Sequence, residues 1–226
     1  MYSKYYEQHR ADRNDLLSNP EVTFQAFAFD RANIQALRKL DVDRESARVL
    51  DVGCGRGSGL LQLLRLGFTQ SAMSGVDISP ERIAEAKLTL PAADLRCESA
   101  ASMTYSDGEF DIVAEFTMFV LLPGDQIARE IAREMIRVTR PGGYLLLADW
   151  RYSRPGSDVY QAMSSRRIAD LFAVGRSTRV VTRERGALVP PLGRMLSRRA
   201  PLLYFAVQAL FPPAVGQVTT VLKKIG

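Results

Sequence analysis

Short apolar runs and amphipathic stretches take turns along most of this chain. "ARVLDVG" is a continuous apolar run that reads as a buried strand, and "GSGLLQLLRLG" after it reads as a short helix stopped at Gly67. "SAMSGVDI" predicts a second strand. In "SPERIAEAKLTL", Ser79 can cap a helix, Pro80 fits its first position and Glu81 suits the dipole there. "ADLRCES" and "EFDIVAEF" predict two further strands. "GDQIAREIAREMIRVTRPGG" predicts a helix with Ile127, Ile131, Met135 and Val138 on one apolar face and Glu130–Arg133 and Glu134–Arg137 pairs opposite it, ended by Pro141 and Gly142. "YLLLADW" follows as a fifth strand. Ahead of all this, Tyr2 to Leu40 is aromatic-rich and reads as helical.

Five alternations of strand and helix imply a parallel sheet covered on both faces. After Trp150 the pattern changes. A helix near "DVYQAMSSRRIADLF", a strand near "TRVVTRE", an apolar helix near "RMLSRRAPLLYFAVQALF" and a last strand, "GQVTTVLKK", complete the chain. Between Ala200 and Val215 the only strongly polar side chain is Gln208. That stretch is bounded by prolines and too short for a membrane span, so core packing is the first expectation and a lipid-surface contact the second.

Composition narrows the class. The chain has 226 residues, 46% of them hydrophobic, enough for one well-buried core. The polar start carries no apolar leader, and Cys54 and Cys97 have neither metal-ligand spacing nor a disulfide framework. The expectation is a cytoplasmic protein with no metal. Net charge is +5, but residues 1–150 hold 17 basic and 22 acidic side chains, while 151–200 hold 11 basic and 3 acidic. The late excess, mostly arginine, reads either as a solvated basic surface or as a face for an acidic partner such as phosphate, RNA or an anionic membrane.

The sharpest chemical signal is "VLDVGCGRGSGLL", with glycines at 53, 55, 57 and 59 directly after a strand. A nicotinamide site wants G-x-G-x-x-G, which Ser58 spoils. The stretch instead resembles motif I of the class I S-adenosylmethionine-dependent methyltransferases, D/E-x-G-x-G-x-G, matched by Asp51, Gly53, Gly55 and Gly57 with Cys54 between them. "GVDIS", "CESAASMTYSDGEFDIV" and "IRVTRPGGYLLLADW" resemble later segments of that family, in order, over residues 45–150.

The resemblance implies a Rossmann-like, doubly wound α/β fold. Its sheet would have seven strands, mostly parallel with an antiparallel last strand, and helices on both faces. It divides the chain into an N-terminal helical cap (1–44), a core binding S-adenosylmethionine (45–150) and a C-terminal segment shaping the acceptor site (151–226). It implies S-adenosyl-L-methionine as cofactor and S-adenosyl-L-homocysteine as product. Asp51 and the Gly53–Gly57 turn would face the methionine end, Asp77 the ribose hydroxyls, and Ile78 the same rim. Ser99 stands where the family usually has an acid for adenine, beside Glu98, and Ala100 would supply a backbone bond. Tyr6, with Tyr5, would cover the donor.

Candidate bases are few. Glu115 ends the fourth strand and Asp149 the fifth, so both should face the crevice. Glu115 is equally a contact to the loop or cofactor, and Asp149 a structural acceptor. His9, the only histidine, is either part of a lid or a surface helix residue. Phe116, Met118, Arg151 and Tyr152 would face the acceptor. The flanks resemble methyltransferases of sugar and surface-glycan pathways, which implies a small or carrier-linked acceptor, anionic in one reading, with an oxygen methylated and a peripheral contact at the inner membrane face. RNA or protein methylation on the basic face, and a non-catalytic donor-binding subunit, remain as alternatives.

Overall fold

In the computed structural model of the chain, residues 16–122, 124–153, 156 and 160–226 are described. Seven strands form one sheet: β1 (Val49–Val52), β2 (Met73–Asp77), β3 (Asp94–Cys97), β4 (Phe110–Phe116), β5 (Thr139–Trp150), β6 (Thr178–Arg185) and β7 (Gln217–Lys224), in the order β3-β2-β1-β4-β5-β7-β6. The first five run parallel, and β7 inserts antiparallel between β5 and β6. Every residue of β1 and β2 is buried, because helices cover both faces of the parallel part. That is why these strands read as unbroken apolar runs.

On one face lie α1 (Thr23–Leu37), α2 (Ser58–Arg65) and α3 (Pro80–Thr89), packing Ala36, Leu60, Leu63, Ile83 and Ala86 against Val49, Ile112 and Leu146. On the other lie α4 (Asp125–Val138) and α5 (Ser165–Leu171), packing Ile131, Met135 and Ile168 against Leu50, Val113 and Leu145. A third cluster joins α1 to α6 (Pro190–Arg199) and α7 (Tyr204–Leu210) around Leu188, Leu196 and Tyr204. Ser79 caps α3 as its sequence predicts, its hydroxyl accepting from Arg82 N at 3.4 Å. Of the two pairs expected on α4, Glu134–Arg137 forms at 2.7 Å, whereas Glu130 accepts from Gln126 at 2.6 Å.

Three expected elements differ in extent. α4 ends at Val138, before Pro141 and Gly142, because Thr139 turns its hydroxyl back onto the Met135 carbonyl (2.6 Å) and starts β5. Thr139 then pairs with Phe110 and Tyr144 with Ile112, so the Pro-Gly-Gly stretch bulges inside the strand. The helix expected over "DVYQAMSSRRIADLF" is only Ser165–Leu171: Gln161 N and Met163 N bond instead to the Val120 and Trp150 carbonyls, and Ser164 caps the helix. The long apolar helix is two, α6 and α7, divided at Ala200–Pro201, where proline lacks the N–H that continuation requires.

α1 is tied to the sheet through a buried polar chain. Asn33, fully buried, donates to Gln62 Oε1 (2.9 Å) and accepts from Thr219 Oγ1 (2.7 Å), and Gln62 in turn donates to Asp30 (2.5 Å). Asn33→Ala strands the buried Thr219 hydroxyl and the half-buried Gln62 amide, so it should cost about 2 kcal/mol in chemical denaturation. A loss under roughly 0.5 kcal/mol would mean that water replaces the amide freely.

Candidate active site

Strand order reverses around β1, which opens a crevice at the carboxyl ends of β1 and β4. The glycine turn begins there. Gly53 N and Cys54 N donate to the Val76 carbonyl (2.8 and 2.9 Å), and Gly55 N donates to Asp77 Oδ2 (2.9 Å). Ser79 N takes the other oxygen, Asp77 Oδ1, at 2.9 Å. One carboxylate therefore binds the turn to the start of α3. Gly57 N closes the loop onto the Cys54 carbonyl at 2.8 Å. Cys54 itself is buried, its Sγ so close over Gly75 that a Cβ there would stand 2.9 Å away, and burial raises its thiol pKa.

Two glycines are dictated by neighbours. Gly53 has φ +75°, and a Cβ on it would lie 2.8 Å from the Met118 sulfur. At Gly59 an added Cβ would strike the Phe116 ring and stand 2.6 Å from Asp51 Oδ2. Phe116 and Met118, expected to face the acceptor, thus pack directly on the glycine turn, with Met118 buried. Between them Thr117 has φ +63°, a left-handed conformation costly for a branched residue, fixed by its N–H on the Ala148 carbonyl (2.9 Å).

Three buried carboxyl groups end adjacent strands. Asp51 stands one residue before the end of β1, and its Oδ1 is buried without a partner among the described residues. Burial first, and Asp77 second, push its pKa up to about 8. Glu115, fully buried on β4, accepts from Met118 N through Oε2 (2.9 Å) and leaves Oε1 unpartnered among the described residues. Burial and then the neighbouring Asp149 carboxylate raise its pKa well above the usual range. Asp149 on β5 accepts from Val120 N at 2.9 Å and from Trp150 N at 2.6 Å. Burial outweighs both bonds and lifts its pKa to about 7. Glu115 and Asp149 therefore each hold the loop after β4 with an oxygen, and the three acids sit where a cation would relieve them.

At the β2–β3 end, Ile78 is exposed beside Asp77. Ser99 Oγ accepts from Ala101 N (3.2 Å), Ala100 packs partly buried against the core, and Glu98 is engaged with the N–H and hydroxyl of Thr104. At the β5 end, Arg151 donates to the Pro212 carbonyl (3.0 Å) and lies over the Tyr152 ring, and the Tyr152 hydroxyl donates to the Pro213 carbonyl (3.0 Å). The Arg151 Nε is buried with no partner among the described residues. Beside it, a cavity of about 240 Å³ is lined by Asp149, Arg151, Met163, Arg183, Arg185 and Pro212. Arg183 and Arg185 were not singled out by sequence; their one signal was the arginine excess after residue 150. His9, Tyr5 and Tyr6 lie outside the described residues. Among the described residues no cluster of His, Cys, Asp and Glu could hold a metal ion, and no helix is long and apolar enough to cross a membrane.

A sheet in this order, with an acid-ended first strand, a glycine turn and an acid closing the second strand, defines the Rossmann-like methyltransferase fold. Residues 49–143 match the family model described as "Methyltransferase domain". Similar proteins include a 2-methyl-6-phytyl-1,4-hydroquinone methyltransferase of Synechocystis, 35% identical over 115 residues, or 49% of this chain and 34% of that protein. A fatty-acid O-methyltransferase of Mycolicibacterium smegmatis is 31% identical over 119 residues, 52% of this chain and 41% of the relative. The chain thus spans well under two thirds of the length of these relatives. The crystal structure of the PH0226 protein from Pyrococcus horikoshii superposes with a TM-score of 0.65 at 15% identity, over 98% of each chain, and shares the fold.

Proposed function

We propose that this chain transfers a methyl group from S-adenosylmethionine to an oxygen of a small or carrier-linked amphipathic acceptor, a hydroxyl or phenol on a lipid-like molecule. The observation that carries the donor half is the pair of unpartnered, buried carboxyl oxygens, Asp51 Oδ1 and Glu115 Oε1, beside a glycine turn in which a Cβ on Gly53 would stand 2.8 Å from the Met118 sulfur. A phosphate ligand would be repelled there, whereas a ligand bearing an ammonium and a sulfonium satisfies both acids. Bound in the crevice, S-adenosylmethionine supplies an already activated methyl group. Asp51 and Glu115 hold its cationic end, Asp77 the ribose, and Ile78, Ser99 and Ala100 the adenine edge. Asp149, at the wall of the arginine-lined cavity, is placed to take the acceptor's proton. The segment 151–226 shapes that acceptor end.

The acceptor half draws on the relatives, whose names print a phytyl hydroquinone and a fatty acid. A sugar hydroxyl, expected from the flanks, is the polar form of the same acceptor, and Arg151, Arg183 and Arg185 favour an anionic group beside it. Labelled methyl from S-adenosylmethionine, supplied with a cell extract and then partitioned, should enter the organic phase. Label confined to the aqueous glycan fraction would return the acceptor to the sugar, and label in the nuclease-sensitive or protein fraction would sink both.

The acids make a separate expectation for the donor site. An entering ammonium lowers the raised pKa of Asp51, so binding at neutral pH expels a proton and strengthens as pH rises toward 8. Calorimetry with S-adenosylhomocysteine in buffers of different ionisation enthalpy should show this release, and Asp51→Asn should remove up to about one proton from it. Identical heats in every buffer would place the cation elsewhere.

A further inference from the structure

α7 is amphipathic the wrong way round for a helix that ends its life in water. Its inward side is Tyr204, fully buried, and Gln208, whose amide donates to the Gly186 carbonyl (2.6 Å) and accepts from Arg31 (3.0 Å). Its outward side is apolar. Leu210 is 84% exposed, with Ala206 and Ala209; just before the helix Leu202 is 93% and Leu203 54% exposed, and just after it Phe211 is 57% exposed, with Pro212 and Pro213. A continuous run of this kind facing solvent is the mark of a surface that meets an apolar medium.

The surroundings say which medium. Arg198 and Arg199, both exposed, end α6 just before the run, and Arg185 and Arg151 donate to the Ala209 and Pro212 carbonyls at its far end. Residues 151–226 carry thirteen Lys and Arg against three acids. Two such faces would repel one another, and a nucleic acid would meet the arginines but leave the leucines in water. Apolar side chains flanked at both ends by guanidinium groups fit the headgroup boundary of an anionic bilayer. Tyr152, partly exposed and bonded to the Pro213 carbonyl, adds an amphipathic ring at the same edge.

We infer that the exposed face of residues 202–211, made by α7 and the residues on either side of it, docks on the surface of an anionic lipid bilayer. Pro212 both borders this face and lines the cavity that holds Asp149 and Arg151. Docking therefore brings the acceptor end of the crevice to the membrane boundary, and that consequence alone rests on the methyltransferase reading.

Co-flotation of the full chain with vesicles tests it. The protein should float with phosphatidylcholine–phosphatidylglycerol vesicles and not with phosphatidylcholine alone, and the bound fraction should fall as salt rises. The triple variant Leu202→Ser, Leu210→Ser, Phe211→Ser changes only solvent-facing positions, so its melting and its binding of S-adenosylhomocysteine should be retained while vesicle affinity drops roughly tenfold or more. No flotation at low salt, or flotation that the triple variant leaves intact, overturns the docking. A dimer in sedimentation that the same variant makes monomeric, without lipid binding, overturns it in favour of a second copy. If neither protein binds S-adenosylhomocysteine yet flotation follows the expected pattern, the docking stands and the donor reading fails.

Discussion

Asp77→Ala should weaken S-adenosylhomocysteine binding about a hundredfold, because one carboxylate does two things at the donor site. It accepts from Gly55 N and from Ser79 N, both at 2.9 Å. These bonds fix the glycine turn against the start of α3. Each oxygen keeps a second lone pair, so the ribose hydroxyls proposed to bind here need no rearrangement. Alanine removes both acceptors and frees the turn at its tightest point. Asparagine keeps one acceptor but turns an NH₂ toward the other N–H, so a partial loss, near tenfold, is expected of it. Calorimetry separates the cases. If Asp77→Ala binds within about threefold of the parent, the carboxylate serves the turn alone and the ribose assignment fails.

That carboxylate was legible in sequence because its neighbours are local. The turn, the strand end and the capped helix after it follow one another within thirty residues, and each has its own signature. The same holds for β1 and β2, whose unbroken apolar runs are buried throughout, and for α4, whose apolar period matches its buried face. What sequence concealed depends on groups far along the chain. Pro141 and Gly142 look like a helix stop, yet they lie inside β5, where a bulge against β4 absorbs them. The run from Gln161 to Ser164 has helical composition, but the Val120 and Trp150 carbonyls draw it out straight. Gly53 and Gly59 announced a ligand's approach; the structure adds that Met118 and Phe116, some sixty residues on, need the same space. Arg183 and Arg185 reach the cavity beside Asp149 only because β6 crosses beyond β7, a register no local pattern reveals.

Asp149→Asn should lower turnover by about two to four orders of magnitude while leaving donor affinity nearly unchanged. The side chain is held by Val120 N and Trp150 N, and it lines the cavity beside Arg151. Its pKa, about 7, arises because burial penalises the charged form more than those two N–H groups reward it. A base must be in its carboxylate form to take a hydroxyl proton. Below that pH Asp149 carries a proton and cannot accept another; above it the site is ready. The rate should therefore rise through pH 7 and level off, with the acidic limb missing from whatever activity Asp149→Asn retains. Glu115 supplies the contrast: burial and then the Asp149 charge raise its pKa well above the usual carboxylate range, and it does not line the cavity. Glu115→Gln should act through donor affinity more than through turnover. Melting curves and S-adenosylhomocysteine binding control for misfolding, because both acids also hold the loop after β4. Should Asp149→Asn turn over within a few-fold of the parent and keep the acidic limb, the proton goes to another group, and Asp149 is a positioning residue for Val120 alone.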